Sequence, residues 1–270
     1  MDFGASDAPL GDQQLKEMPA LVQVPESSGP VCITYNLPEL KVPLKLSGTT
    51  LAGIYLGKIK SWQDPAVKKE NPSVSLPAHD IVVAHRSDGI GTTNIFTSYL
   101  AKIDSEGVTG VVKQTPGGIC YVELTYATDN KLPAVSVKNQ TGSRVQPTAA
   151  GTTAAINAFA AQLAKDVRTP IVDPPASAKN AYPISGLTFL LVPKHGKDPK
   201  KTGTLKQFIA YAVTQGPTQA QSMAYAPISP TLQQQDENLL SRLGGTAQPA
   251  QAKLKGASAE IITMMALWIV

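Results

Sequence analysis

The sequence predicts an α/β fold, and three observations carry that prediction. Short apolar runs rich in β-branched residues, such as Ile81-Val82-Val83-Ala84 and residues 187–192, alternate with stretches whose apolar residues recur at helical spacing. One such run enters a glycine-containing turn and then a helical pattern: His85-Arg86-Ser87-Asp88-Gly89-Ile90-Gly91-Thr92-Thr93, followed by Ile95, Phe96, Tyr99, Leu100 and Ile103. The 270 residues also exceed what one hydrophobic core usually organises, so two lobes are expected.

Taken in order, residues 2–10 read as a strand end and turn, with Asp7 at the tip and Pro9 closing it. Residues 10–18 suit one short helix. Strands are expected at 21–24 and 31–35, separated by Pro25 and Gly29-Pro30. Leu46 ends a strand, and Thr49 and Thr50 open a helix containing Leu51, Ile54 and Tyr55. Asp64-Pro65 turns the Trp62 region into a second short helix. The turn quoted above predicts a strand at 81–84 and a helix at 91–102.

Beyond it, a short helix is expected at 108–113, stopped by Pro116-Gly117-Gly118, then strands at 119–122 and 135–138. Ile156, Phe159, Ala160, Leu163 and Val167 make one face of a long helix over 151–168, ended by Pro170 and Pro174-Pro175. A strand at 187–192 precedes helices at 204–215, 217–226 and 231–243, and 244–259 reads as loose. The basic run 194–201 reads as a surface hairpin or loop.

Composition narrows the function classes. With 42% hydrophobic and 16% charged residues the chain reads as a soluble globular protein. A net charge of +4, from 24 basic and 20 acidic residues, is too mild to imply nucleic acid and is compatible with an anionic ligand. Cys32 and Cys120 cannot make a disulfide framework or a four-ligand zinc site; in apolar, strand-like runs they read as buried free thiols, with one bridge as the alternative. His79, His85 and His195 lack metal-ligand spacing, so neither metal nor cofactor is expected. No apolar run reaches the roughly 18–20 residues of a membrane helix, and the apolar stretch 261–270 is short. Met1-Asp2 runs directly into a structured motif with no charged and apolar leader, which predicts a truncated start.

The turn at 85–93 is the candidate site. Glycines let backbone approach a ligand, and the first free N–H groups of a helix carry partial positive charge. Thr92 and Thr93 add hydroxyls, and Arg86 a forked, permanently charged donor array. That set suits an anion with several oxygens, such as phosphate. The same residues also make an ordinary capped helix, with Arg86 and Asp88 as a surface ion pair. A hydrolase drawn from Asp7, His85 and Ser87 or Thr92 lacks a G-x-S-x-G nucleophile elbow, so no enzymatic activity is expected.

RSDGIGTTNIFTSYL at 86–100 resembles the anion-binding segment of the PstS family, the periplasmic phosphate-binding proteins of high-affinity phosphate ABC transporters. DFGASDAPL at 2–10, LSGTTLAGIYLGKIKSWQDPAV at 46–67 and VKQTPGGICYVELTYA at 112–127 resemble the same family in the same order. The resemblance spans residues 1 to about 243. It implies a two-lobe periplasmic-binding-protein-like fold of type II with ligand in the cleft between lobes. One lobe would take 1–33 and 185–270, the other 34–184.

It further implies that Asp7 accepts a hydrogen bond from protonated phosphate, and that Arg86 contacts the anion while Asp88 pairs with that arginine. Gly91 and Thr92 would supply backbone N–H groups and a hydroxyl. Ser6, Ser87 and Thr93 are read as caps. Asp7 also reads as a cap for the helix after Pro9. Three departures from the family pattern stand out: Ile90 replaces a serine, Ser105 stands where a longer tryptophan-containing segment is usual, and an upstream glycine-rich turn and serine loop precede no residue here. The implied partners are inorganic phosphate and the membrane permease subunits of an ABC transporter, with no nucleic acid. The implied protein is a periplasmic or cell-surface monomer, and the alternative is a truncated homologue that keeps the fold with weak or no phosphate binding.

Overall fold

The computed structural model describes residues 3–84, 91–103, 117–195 and 198–243. The first half contains β1 (Gly4–Ser6), α1 (Asp12–Glu17), β2 (Leu21–Tyr35), β3 (Lys45–Ser47), α2 (Gly48–Tyr55), α3 (Pro65–Glu70), β4 (Val82–Val83), α4 (Gly91–Ile103) and β5 (Gly118–Glu123). The second contains α5 (Leu124–Asp129), β6 (Ser136–Lys138), β7 (Arg144–Val145), α6 (Ala149–Ala158), α7 (Ala160–Leu163), β8 (Ser185–Pro193), α8 (Pro199–Thr214), α9 (Pro217–Ser222), β9 (Ala226–Pro227) and α10 (Pro230–Arg242). The helix expected at 108–113 and the loose tail at 244–259 lie outside the described residues.

Among the described residues a six-stranded mixed sheet runs β1-β8-β2-β5-β4, with β9 beside β2, and a three-stranded sheet runs β3-β6-β7. The long strand β2 ties the two halves together. It pairs antiparallel with β8 from Leu21 to Pro30 and with β5 from Val31 to Tyr35. Two strands broken by prolines were expected here, and the structure runs them into one. Pro25 adjoins a bulge between Pro25 and Ser27, and Pro30 lies where the strand changes partner. These are places where a missing N–H disturbs the ladder least. Buried bonds fasten the changeover: Ser28 Oγ donates to the Gly186 carbonyl at 2.6 Å and Tyr182 Oη to the Val31 carbonyl at 2.9 Å.

Helix starts follow short polar caps. Ser47, Asp64, Thr148, Asp198 and Ser229 each accept a backbone N–H from the first turn of the helix they precede. The cap at Asp198, with Pro199 at the first helical position, starts α8 five residues earlier than expected. Lys200 and Lys201, read as part of a surface loop, therefore lie in its first turn. The helix expected over 151–168 is two pieces broken at Phe159 and ended at Leu163. Asp166 stops any continuation by accepting the Arg168 N–H and its Nε, both at 2.9 Å, in a local turn that competes with helix.

The apolar residues form two cores. Val31, Ile33, Leu46, Leu51, Trp62, Phe96, Tyr121 and Tyr182 belong to one. Val24, Ile156, Phe159, Leu163, Leu187, Phe189, Ile209 and Leu232 belong to the other. Residues of α6 and α7 and Ile171 belong to the second core together with residues of β8 and α8. Cys32 is buried and Cys120 half-buried, both as free thiols. Burial pushes the Cys32 thiol well up, and Thr34 Oγ1 lies 2.8 Å from Cys120 Sγ.

Candidate anion-binding cleft

Helix α4 is set in place by its lower turns. Phe96, Tyr99 and Leu100 are each no more than 1% exposed. Phe96 stacks on Tyr121 with ring centroids 4.6 Å apart and meets Tyr55 edge-on at 4.7 Å. At the far end Lys102 Nζ donates to the carbonyls of Val172 and Asp173 at 2.8 and 3.1 Å. The packed end aims the N-terminus of α4 at the turn that follows β1.

There Gly91 meets Asp7. A Cβ built on Gly91 would overlap the Asp7 Cβ, so glycine alone allows this approach. One turn on, Ile95 lies over Gly186 of β8, where again a Cβ would overlap. Asp7 and Gly91, distant in sequence, are thus brought together. Arg86 and Asp88, with His85 and Ser87, lie outside the described residues.

Asp7 is half-buried, and its Oδ1 accepts the Thr188 hydroxyl of β8 at 3.0 Å. Thr92 is 3% exposed, and its hydroxyl donates to Glu123 Oε1 at 3.0 Å. The sequence reading turned that hydroxyl toward the anion; here it is bonded to Glu123. Thr93 bonds the Tyr121 hydroxyl at 3.0 Å instead of capping the helix. Ser6 does cap its own turn, its Oγ donating to the Ala8 carbonyl at 2.7 Å.

Two small cavities meet at Asp7, Ile95 and Gly186. One, of about 40 Å³, runs toward Asn94, Ser98 and Arg168. Arg168 brings no spare charge there, since Asp166 and Asp12 hold its guanidinium. The other, of about 30 Å³, is lined by Thr92, Glu123, Thr125, Thr188 and Tyr225. With Gly91 packed this closely on Asp7, an anion lying between the two would need α4 to draw back.

Sequence reading missed Glu26, Glu123, Thr188 and Tyr225. Burial and the charges of Asp7 and Glu123 push the Tyr225 phenol up. Burial, then the Asp7 charge, raises Glu26 to about 7. One signal was available: Glu123 lies inside the 112–127 segment that carries the resemblance. Thr188, alone in a run of apolar strand residues, was a weaker one. Among the described residues, no group of His, Cys, Asp and Glu is arranged to hold a metal, and no helix is long and apolar enough to cross a membrane.

A family model described as a PBP superfamily domain matches residues 1–215. The chain is 35% identical over 261 residues to the phosphate-binding protein PstS of Xylella fastidiosa, covering 88% of this chain and 71% of that protein. It is 36% identical over 252 residues to PstS of Haemophilus influenzae, covering 84% of this chain and 75% of that protein. A solved structure of a high-affinity periplasmic phosphate-binding protein bound with phosphate aligns with a TM-score of 0.69 at 21% identity, over 92% of this chain and 85% of that one. That structural likeness speaks for the fold, and the closer sequence matches for descent. By these sequence matches the chain belongs to the PstS family of phosphate-binding proteins.

Proposed function

We propose that this chain is the substrate-binding component of an ABC phosphate import system, capturing inorganic phosphate between two lobes and delivering it to a membrane permease. One lobe is built on β1, β8, the first part of β2 and helices α6 to α10; the other holds α2 to α4 and the end of β2. It works as a monomer outside the cytoplasmic membrane, without enzymatic turnover, cofactor or nucleic acid.

The observation that carries this reading is the placement of Asp7, bonded to Thr188 and held against the N-terminus of α4. The α4 amides and Arg86 supply donors for phosphate oxygens. Asp7 supplies the one thing a fully ionised oxyanion does not want, a fixed acceptor. Phosphate near neutral pH keeps a proton to donate to it, whereas sulfate has none and meets repulsion.

Titration calorimetry of the wild-type chain and of Asp7→Asn, with phosphate and then with sulfate, tests this directly. Wild type should prefer phosphate. Asp7→Asn should bind phosphate about tenfold or more weakly, from loss of a charge-assisted bond of roughly 1.5–3 kcal/mol, and should let sulfate compete better. An unchanged phosphate-to-sulfate preference in the variant would leave Asp7 as a turn residue only.

A further inference from the structure

The strand register places a second carboxylate beside the first. Across β1, β8 and β2, Ser6 stands opposite Phe189, Phe189 opposite Pro25, and Thr188 opposite Ser27. Glu26 is the extra residue of the bulge between those last two pairs. It sits level with Thr188, whose hydroxyl is bonded to Asp7. Adjacent strands lie about 4.8 Å apart, so a glutamate two strands from Asp7 is close enough for their charges to interact.

Among the described residues, no group that acts on Glu26 favours its charge. Asp7 acts on it from the turn after β1, and Tyr225, just before β9, is near enough to feel the charges of Asp7, Glu123 and Glu26. Among the described residues, only burial and the Asp7 charge act on the Glu26 carboxyl, and both oppose its ionisation. Family resemblance assigned Glu26 no role, and a binding site for an anion gains nothing from it as a carboxylate. As a carboxylic acid it is harmless. That difference is set by pH in the neutral range.

We propose that Glu26 is a proton-dependent gate on the anion site: protonated, it leaves Asp7 as the selecting carboxylate, and ionised, it adds a negative charge that drives the anion out. Glu26 does not line the cavity and acts through the field at Asp7, so it tunes the site without touching ligand. The inference rests on the phosphate-binding reading above. The sign follows from linkage. An anion that prefers the protonated form must bind more weakly as pH rises through the Glu26 midpoint, and must itself raise that midpoint.

The test compares phosphate dissociation constants of the wild-type chain and Glu26→Gln at about pH 5.5 and about pH 8.5. Phosphate's own protonation affects both proteins equally, so the ratio of the two constants reads Glu26 alone. The ratio should be near one at the lower pH, and wild type should bind about tenfold more weakly than the variant at the higher. A ratio unchanged between the two pH values would overturn the gate while leaving phosphate binding intact. Failure of both proteins to bind phosphate at either pH would overturn the phosphate reading and the gate with it. Should Glu26→Gln not fold, carboxyl-carbon NMR of the wild-type chain reads the same linkage. Saturating inorganic phosphate should then move the Glu26 midpoint up by about one pH unit, and an unmoved midpoint would refute the gate.

Discussion

Replacing Arg86 with alanine is expected to lower phosphate affinity about a thousandfold. The described walls of the cleft bring carboxylates, Asp7 and Glu123, with Glu26 close behind. Arg168, at the edge of the neighbouring cavity, is committed to Asp12 and Asp166. Left to these groups, a phosphate dianion would be repelled. On the proposed reading, Arg86, five residues before Gly91 in sequence, is the permanent charge that reverses the sign. Removing one member of a buried, hydrogen-bonded charge pair costs roughly 2–5 kcal/mol, and about 4 kcal/mol corresponds to three decades. Arg86→Lys should fall between, because an ammonium keeps the charge and loses the two-pronged geometry. Calorimetry of both variants at one pH and salt concentration checks this, and Arg86→Ala within threefold of wild type would refute it.

The second large effect concerns stability. Asp236 lies on the buried face of α10 with Leu232 and Leu240, is 2% exposed, and its Oδ2 has no hydrogen-bond partner among the described residues. Burial raises its carboxyl to about 8. An unfolded aspartate titrates near 3.9, so between about pH 4 and pH 8 the native state holds a proton that the unfolded state has lost. Stability from this group is therefore fully present below about pH 4 and falls as pH rises, by up to about 1.4 kcal/mol per unit, until the folded group itself ionises. Asp236→Asn removes the titration and should flatten that slope. From about pH 5 to about pH 7.5 the variant should gain roughly 3 kcal/mol relative to wild type in urea unfolding. Parallel pH profiles for the two proteins would show that the Asp236 carboxyl is solvated.

How much of this was legible in the sequence depends on whether a feature is local. The strand, glycine turn and helix around residues 82–103 are local, and β4 and α4 fall within a residue of where the pattern puts them. Asp7 could be named from its motif. The two-residue strands β7 and β9 and the six-residue helix α5 carry too few residues for any period to register. The prolines of β2 misled because their cost depends on strand partners that the sequence does not display. The same limit hid Glu26 and Thr188. Thr188 reaches Asp7, and Glu26 comes level with Thr188, only through β8 pairing with β1 on one edge and β2 on the other, a register set by residues more than 150 positions apart.

A crystal structure of the chain grown in inorganic phosphate tests the central claim most directly, since it locates the anion. The expected result is one phosphate between Asp7 and the N-terminus of α4. A phosphate oxygen should lie within about 2.5–2.7 Å of the Asp7 carboxylate, and others within hydrogen-bond distance of the Gly91 and Thr92 amides, with α4 drawn back from Asp7. Phosphate bound elsewhere, with Asp7 still bonded to Thr188 and closed against Gly91, would contradict it.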